Sequence, residues 1–175
     1  MARNKSNRAF PGDEKYVVGP YVLEKSALDV FANPKADVEV LAADKTLLES
    51  DMNRIYVLNK AAGIAIVLPS IDAQNAGMWI EVHVMTAVTS NAYSVTAGAT
   101  SDFLEGHVFI TKATDAVANM AYFAADETDD DAFSMNGTTT GGLIGSVARF
   151  VANANGYWTV TGQLYGSGTL ATPFA

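Results

Sequence analysis

Residues 78–85 read Met-Trp-Ile-Glu-Val-His-Val-Met, and this stretch decides the fold class. Its β-branched residues, Ile80, Val82 and Val84, occupy every second position. Successive side chains of an extended strand point to opposite faces, so these three share one face and the residues between them share the other. The alternation predicts a β-strand with one buried face.

Short segments of the same kind recur along the chain from about residue 37. Besides 78–85, they lie at 38–41, 54–58, 64–68, 92–97, 107–111, 120–124, 147–152 and 157–164. Turn-forming clusters such as Asn136-Gly137 separate them, and helix signals are confined to 43–53 and 70–76. Short strands at roughly even spacing predict an all-β fold, an antiparallel β-sandwich or small, jelly-roll-like barrel. The absence of a fixed sequence period argues against a solenoid.

Residues 1–36 have a different character. Arg3, Lys5 and Arg8 occur there without an acid before Pro11-Gly12, and two short apolar pieces around Tyr16 and Tyr21 are broken by Gly19-Pro20. Such pieces suit an extended arm better than a central strand. We therefore expect an N-terminal arm over residues 1–36 and a β-domain over residues 37–175.

The charge is distributed unevenly. The chain has 175 residues, with 11 basic and 19 acidic side chains and a net charge of −8. Residues 61–175 contain only Lys112 and Arg149 against ten acids. A body this acidic repels phosphates, so we expect no direct contact with nucleic acid. Because its charge is sparse, either Ala, Thr, Ser and Asn side chains cover much of its surface or part of that surface is buried against a partner.

Several classes of protein are disfavoured by what the sequence lacks. There is no cysteine, which excludes disulfides and thiolate metal sites. The longest apolar run, residues 61–68, is too short to span a bilayer, and residues 1–8 do not resemble a secretory signal. We expect no membrane association and no export of the protein.

Candidate catalytic groups are few. His83 and His107 are the only histidines, and neither accompanies a Gly-x-Ser-x-Gly motif. An enzymatic alternative would use paired carboxylates such as Glu81 and Glu105, as polysaccharide hydrolases do. The glycine-rich stretch 137–145 lacks the spacing of a phosphate loop and predicts a β-turn. We expect neither enzymatic activity nor a cofactor.

An acidic run, Asp126-Glu-Thr-Asp129-Asp130-Asp131, is the densest charge cluster. It departs from the EF-hand pattern, because threonine holds the third position and aspartate the place of the glycine. A solvated loop, a docking point for a basic partner and a calcium site remain alternatives.

Several segments together carry a resemblance to a known family. They are Gly63-Ile-Ala-Ile-Val-Leu-Pro-Ser70, Tyr93-Ser-Val-Thr-Ala97, Gly106-His-Val-Phe-Ile110, Gly141-Gly-Leu-Ile-Gly-Ser-Val-Ala-Arg-Phe-Val151, Asn155-Gly-Tyr-Trp-Thr-Val-Thr-Gly162 and Gly168-Thr-Leu-Ala-Thr-Pro-Phe174. With the strand at 78–84, their order over about residues 40–174 resembles the capsid decoration (cement) proteins of tailed bacteriophages. Similar Asn-Gly-x-Trp-x-Val endings occur in phage fibre and tail modules.

The resemblance implies a structural virion protein. Such a homotrimer would bind the major capsid protein at local three-fold positions on the outside of the head and stabilise the shell. The alternative is a fibre- or tail-associated module that recognises host glycans through exposed aromatic residues. The sequence itself suggests candidate contacts with a partner in the arm and the acidic run, namely Arg3, Lys5, Arg8, Tyr16, Tyr21, Asp129, Asp130 and Asp131.

Overall fold

The structure, a computed structural model, describes residues 15–18, 21–24, 37–72, 74–112, 119–126, 128–153 and 156–175. The chain divides into two units between residues 36 and 37. In the first unit, β1 (Lys15–Val18) and β2 (Tyr21–Glu24) pair as antiparallel strands. The rest of the predicted arm lies outside the described residues.

The second unit is built almost entirely from strands, which confirms the predicted all-β class. They are β3 (Asp37–Leu41), β4 (Lys45–Thr46), β5 (Arg54–Leu58), β6 (Ile64–Val67), β7 (Trp79–Val84), β8 (Tyr93–Thr96), β9 (Phe103–Lys112), β10 (Met120–Ala124), β11 (Ala132–Met135), β12 (Val147–Ala152) and β13 (Tyr157–Gly166). The described part of the chain contains one helical element, a 3-10 turn at Glu49–Asp51. Of the two stretches with helix signals, 43–53 therefore holds a single turn.

The strands form two sheets that share a core. Seven strands follow the order β10-β9-β13-β12-β7-β5-β3, and four follow the order β11-β8-β6-β4. Buried side chains from both sheets belong to one hydrophobic cluster. Phe133 of the smaller sheet meets Phe150 of the larger edge to face, with ring centroids 5.4 Å apart. The two sheets therefore bury their inner faces together.

The sheets are mixed, so the prediction of an antiparallel fold is wrong, and a jelly roll is not confirmed. Strands β3, β5 and β7 run parallel to each other, as do β4, β6 and β8, and β9 runs parallel to β13. From β3 to β8 the chain alternates between the sheets, so each sheet receives every second strand in the same direction. Alternation of side chains is the same in parallel and antiparallel strands, so the sequence pattern did not distinguish them.

This first half of the domain stacks its turns like a short solenoid, which the sequence argued against. Asp37 is in register with Arg54, 17 residues later, whereas Arg54 is in register with Ile80, 26 residues later. Turns of such different length leave no fixed period in the sequence. The missing repeat was therefore a poor guide to the architecture.

The side-chain pattern of β7 is confirmed. Ile80, Val82 and Val84 are buried in the core, whereas the three intervening residues of the strand are half-buried. Trp158 on β13 is fully buried as well. Among the described residues, no helix is long and apolar enough to cross a membrane.

Candidate interaction surface

The larger sheet turns one face to the core and leaves the opposite face, called here the outer face, partly exposed. Pairing registers define rows of outer-face side chains that run across all seven strands. One such row consists of Tyr122, Phe109, Gln163, Val147, His83, Val57 and Val40. Both ends of this row are apolar, and its middle is mixed. The outer face therefore presents two separate apolar ends.

The first end, called here the aromatic edge, consists of His107, Phe109, Met120 and Tyr122 on β9 and β10. The Tyr122 ring lies 5.6 Å from the Phe109 ring and 5.3 Å from the His107 ring, measured between centroids. Met120 is 59% exposed, Tyr122 58% and Phe109 37%. The ring contacts hold the aromatic side chains together although they face outward. This cluster is an ordered apolar surface on the outermost strand.

The second end, called here the valine edge, consists of Val38 and Val40 on β3. These two side chains are 55% and 56% exposed. Ile55 and Val57 of the neighbouring β5 are half-buried beside them. Exposed β-branched residues on an edge strand are a surface that other proteins commonly pair with or cover. Because β3 and β10 are the two terminal strands of the larger sheet, the valine edge and the aromatic edge lie at opposite ends of it.

Ion pairs neutralise the acids of β3. Glu39 accepts hydrogen bonds from Lys45 Nζ at 2.7 Å and from Arg54 Nη1 at 2.9 Å. Arg54 Nη2 lies 2.8 Å from the carboxylate of Asp37. The hydrogen bond from Lys45, supported by Arg54, lowers the pKa of Glu39 below its ordinary value. The carboxylates of Asp37 and Glu39 are thus paired with basic side chains. The other face of β3 presents only the uncharged side chains of Val38 and Val40.

Asp51 belongs to the same network of ion pairs and hydrogen bonds. Its carboxylate accepts the backbone N–H of Leu48 at 3.0 Å, which lowers its pKa, and it also lies 3.5 Å from Lys45 Nζ. The buried Tyr56 donates its hydroxyl to the carbonyl of Asp51 at 2.7 Å. Burial raises the pKa of Tyr56, so the hydroxyl stays protonated at neutral pH. These contacts connect β3, β4 and β5 on the side of β3 that faces away from Val38 and Val40.

The middle of the outer face is polar and paired. The Arg149 guanidinium lies 4.3 Å from the centroid of the Trp79 ring, and His83 Nε2 lies 2.5 Å from Glu81 Oε1. An imidazole and a carboxylate at this distance form a hydrogen-bonded pair. The guanidinium of Arg149 makes a cation–π contact with the indole ring of Trp79. The polar side chains of the centre are thus paired with one another, whereas the two ends are apolar and exposed.

Glu81 and Glu105 do not form the carboxylate pair that the enzymatic alternative requires. Strands β12 and β13 lie between the strands that carry them. Three strand spacings separate the two backbones by about 14 Å, whereas glycosidase carboxylates lie about 5–9.5 Å apart. Glu105 is instead engaged by Asn153 Nδ2 at 2.7 Å and Thr159 Oγ1 at 2.5 Å.

The acidic run forms a hydrogen-bonded turn. Asp126 accepts the N–H and hydroxyl of Thr128 at 3.1 Å and 2.7 Å, which lowers the pKa of Asp126, and Asp130 accepts the N–H of Asp126. Asp129 and Asp131 are exposed, and Asp130 is half-buried. Within the described residues, no group of three or more His, Asp or Glu side chains is placed to hold a metal ion. The turn thus engages the carboxylates of Asp126 and Asp130 in hydrogen bonds within the loop.

The other candidate contacts are only partly described. Arg3, Lys5 and Arg8 lie outside the described residues. Tyr16 lies in β1 opposite Leu23, and Tyr21 lies in β2 opposite Val18.

Sequence reasoning missed the aromatic edge. Aromatic residues at strand spacing usually pack in the core, and this expectation is wrong for Phe109 and Tyr122, which lie on the outer face. One signal was present, because β10 reads Met-Ala-Tyr-Phe-Ala and lacks a charged residue. Natural edge strands usually carry charges that prevent pairing with other chains. The aromatic edge is found only from the structure, which shows that β10 is the outermost strand of the larger sheet.

A shallow cleft of about 350 Å³ lies elsewhere, beside β6 and β8. Its polar lining includes Asp44, Lys60, Asn91 and Ser94. Asp44 is occupied by the backbone N–H of Ala65 at 3.0 Å. Comparisons with protein-family models, curated proteins and solved structures found no match to this chain.

Proposed function

We propose that this chain is a structural virion protein that decorates the outer surface of a bacteriophage head and stabilises the shell. In this proposal the two sheets form a β-sandwich, residues 1–36 form an arm, and three copies bind the major capsid protein at local three-fold positions. The observation that carries the proposal is the outer face, with its exposed apolar edges at both ends of one sheet. The resemblance of residues 40–174 to decoration proteins supplies the kind of partner.

Energetics favour binding to large neighbours. Burying a large apolar side chain completely contributes roughly 1.5–3 kcal/mol. Met120 and Tyr122 are more than half exposed, as are Val38 and Val40, so a flat protein partner can still gain from each. Individual contacts remain modest, but linked copies in one assembly bind together far more tightly. A repeating shell offers such linked contacts.

The proposal is tested by adding the purified full-length protein to expanded heads that lack it. We expect co-sedimentation with heads, density on the outer surface in cryo-electron microscopy, and a higher temperature for head disruption. Tyr122→Ser should weaken binding at least tenfold, because it removes the centre of the aromatic edge and with it a contact either to the head or between the linked copies that bind the head. Ile144→Ser is the control, because Ile144 is 66% exposed but lies outside both edges. A folded wild-type protein that leaves the heads unbound and unchanged overturns the proposal.

One observation favours the alternative of a glycan-binding fibre or tail module. The clustered rings of His107, Phe109 and Tyr122 are exposed, and aromatic faces are surfaces on which sugars can stack. Trp158 cannot serve this role, since it is fully buried. A glycan array distinguishes the two functions. Reproducible binding that Tyr122→Ala abolishes without unfolding would favour recognition over decoration.

A further inference from the structure

We propose that the aromatic edge of one copy contacts the valine edge of a second copy, so that β10 pairs with β3 of its neighbour and the copies close into a ring. This inference rests on the proposed function, because it assigns the self-contact of the decorating assembly to named strands. Each copy would then use both ends of its larger sheet.

Both strands are terminal in the described sheet. β10 has only β9 as a neighbour, and β3 has only β5, so each offers one row of backbone N–H and C=O groups away from its partner. β10 has no charged residue, and the acids of β3 are bound by Lys45 and Arg54. Neither strand therefore carries the free charges that usually protect an edge.

The strand directions are compatible with pairing. β3 runs parallel to β5 and β7, β12 runs opposite to β7, and β13 runs opposite to β12. β9 runs with β13, and β10 runs opposite to β9. β10 therefore runs opposite to β3. Two copies placed side by side in the same orientation bring these edges together as an antiparallel pair, which is the geometry of well-formed ladders.

The exposed side chains also correspond. Tyr122 and Val40 are the two ends of one row across the sheet, so a neighbouring copy continues that row with apolar side chains on both sides of the junction. Cross-strand aromatic and β-branched pairs stabilise sheets. A contact between two different patches is head-to-tail, and it produces a closed ring when the rotation between copies closes. A second copy therefore fits each edge in hydrogen bonding and in chemistry.

Cysteine cross-linking tests the contact directly, because the natural chain has no cysteine. Val40→Cys and Tyr122→Cys are made singly and together in the full-length protein, and each is treated with a short bis-maleimide at a protein concentration at which sedimentation shows the wild type fully assembled and at ten times that concentration. We expect the double variant to give a ladder that ends in a closed ring. An equal mixture of the two single variants should give dimers, and each single variant alone should give none. Leu48→Cys with Ile144→Cys is the control pair, since both are exposed and lie outside the edges.

Three outcomes overturn the contact. One is a wild-type protein that stays monomeric at high concentration by sedimentation. Another is dimer formation by Tyr122→Cys alone, which indicates a symmetric contact between two aromatic edges. The third is cross-linking no greater than that of the control pair.

Charge substitutions provide an independent measurement. Tyr122→Lys and Val40→Lys should each raise the dissociation constant of the ring at least tenfold, while circular dichroism and the melting temperature confirm folding. Ile144→Lys should leave assembly unchanged. Head binding is measured in parallel. If the protein binds heads as a monomer, the ring contact is overturned and the proposed function is supported. If it forms a ring that does not bind heads, the contact is supported and the proposed function is overturned.

Discussion

Gly106 shows how a single residue constrains the sheet. It lies within β9 with φ of 100°, in register with Val160 of β13. A side chain there would meet two costs: the left-handed backbone, about 1–2 kcal/mol, and overlap of its Cβ with the Val160 carbonyl oxygen. Relief of that overlap requires β9 and β13 to separate. This position therefore demands glycine.

We expect Gly106→Ala to destabilise the protein clearly more than Gly77→Ala. Gly77 has φ of 87°, but a Cβ there would have no atom within 4 Å, so only the backbone cost of about 1–2 kcal/mol applies. Urea unfolding followed by the fluorescence of the buried Trp158 measures both variants. Equal losses would contradict the close contact of β9 with β13 at Gly106.

The ion pairs under the valine edge predict an acid-sensitive stability. The pKa values of Glu39 and Asp51 are lowered in the folded state from ordinary values of 4.5 and 3.8. The folded protein thus binds fewer protons than the unfolded chain, so the stabilisation is present above these values and is lost as the pH falls through the lowered ones. We therefore expect the melting temperature to decrease as the pH is lowered from about 5 to about 3.

Glu39→Gln isolates this contribution. The variant should lower the melting temperature at pH 7 and reduce its dependence on pH below 5, because one of the two titrating groups is gone. Glu49→Gln, an exposed acid in the adjacent 3-10 turn, should keep the wild-type pH dependence. An unchanged pH profile for Glu39→Gln would show that the pair with Lys45 contributes nothing to stability.

At the scale of single residues, the sequence correctly predicts which side chains of a strand are buried where the second sheet covers that strand. Ile80, Val82 and Val84 are buried as the alternation required. It fails for Phe109 and Tyr122, which have the same spacing as core aromatics but belong to the uncovered face. Whether a face is covered depends on the packing of distant strands, and local spacing carries no information about that.

At the scale of elements, the edge of the smaller sheet is completed by residues 172–175. The N–H of Ala132 donates to the carbonyl of Ala175 at 2.9 Å, the reverse bond measures 3.0 Å, and the N–H of Ser134 donates to Pro173 at 2.7 Å. Phe174 lies opposite Phe133 of β11, with ring centroids 5.4 Å apart. These residues lie beside β11 as a short additional strand.

We expect Phe174→Ala to destabilise the domain by about 3 kcal/mol, the usual cost of removing a buried aromatic ring. Phe174 is only 5% exposed, and its ring belongs to the chain of aromatic contacts that links β11 to β12. Phe174→Leu should lose less, and Ile144→Ala, at an exposed position, should lose less than about 0.5 kcal/mol. Denaturant unfolding measures all three, and a loss below 1 kcal/mol for Phe174→Ala would contradict the packing of this segment.

The sequence could predict the existence of most strands but not their partners. Composition and alternation predict strands at residues 54–58 and 78–85, and the structure has strands at Arg54–Leu58 and Trp79–Val84. Their parallel pairing follows from a crossover through β6 in the other sheet, a connection that leaves no local signal. The outer face could not be predicted either, because it exists only once β10 and β3 are placed at opposite edges.

At the scale of the whole molecule, charge separates the two units. Residues 61–175 hold two basic and ten acidic side chains, whereas residues 1–12 hold three basic side chains and no acid. Phosphate binding requires lysine and arginine side chains that displace counterions. The β-domain therefore offers DNA a repulsive surface, which agrees with the proposed position on the outside of a head.

We expect the full-length protein not to retard duplex DNA at 150 mM salt. Any retention at low salt should require Arg3, Lys5 and Arg8, and the dependence of the logarithm of affinity on the logarithm of salt should be no steeper than about −2.7, the value for three phosphate contacts. Replacing those three residues with serine should abolish the retention, whereas Lys112→Gln should preserve it. Retardation at 150 mM salt that Lys112→Gln removes would place a phosphate-binding surface on the β-domain. That result would contradict the inference from charge, because the remaining field around residues 61–175 is negative.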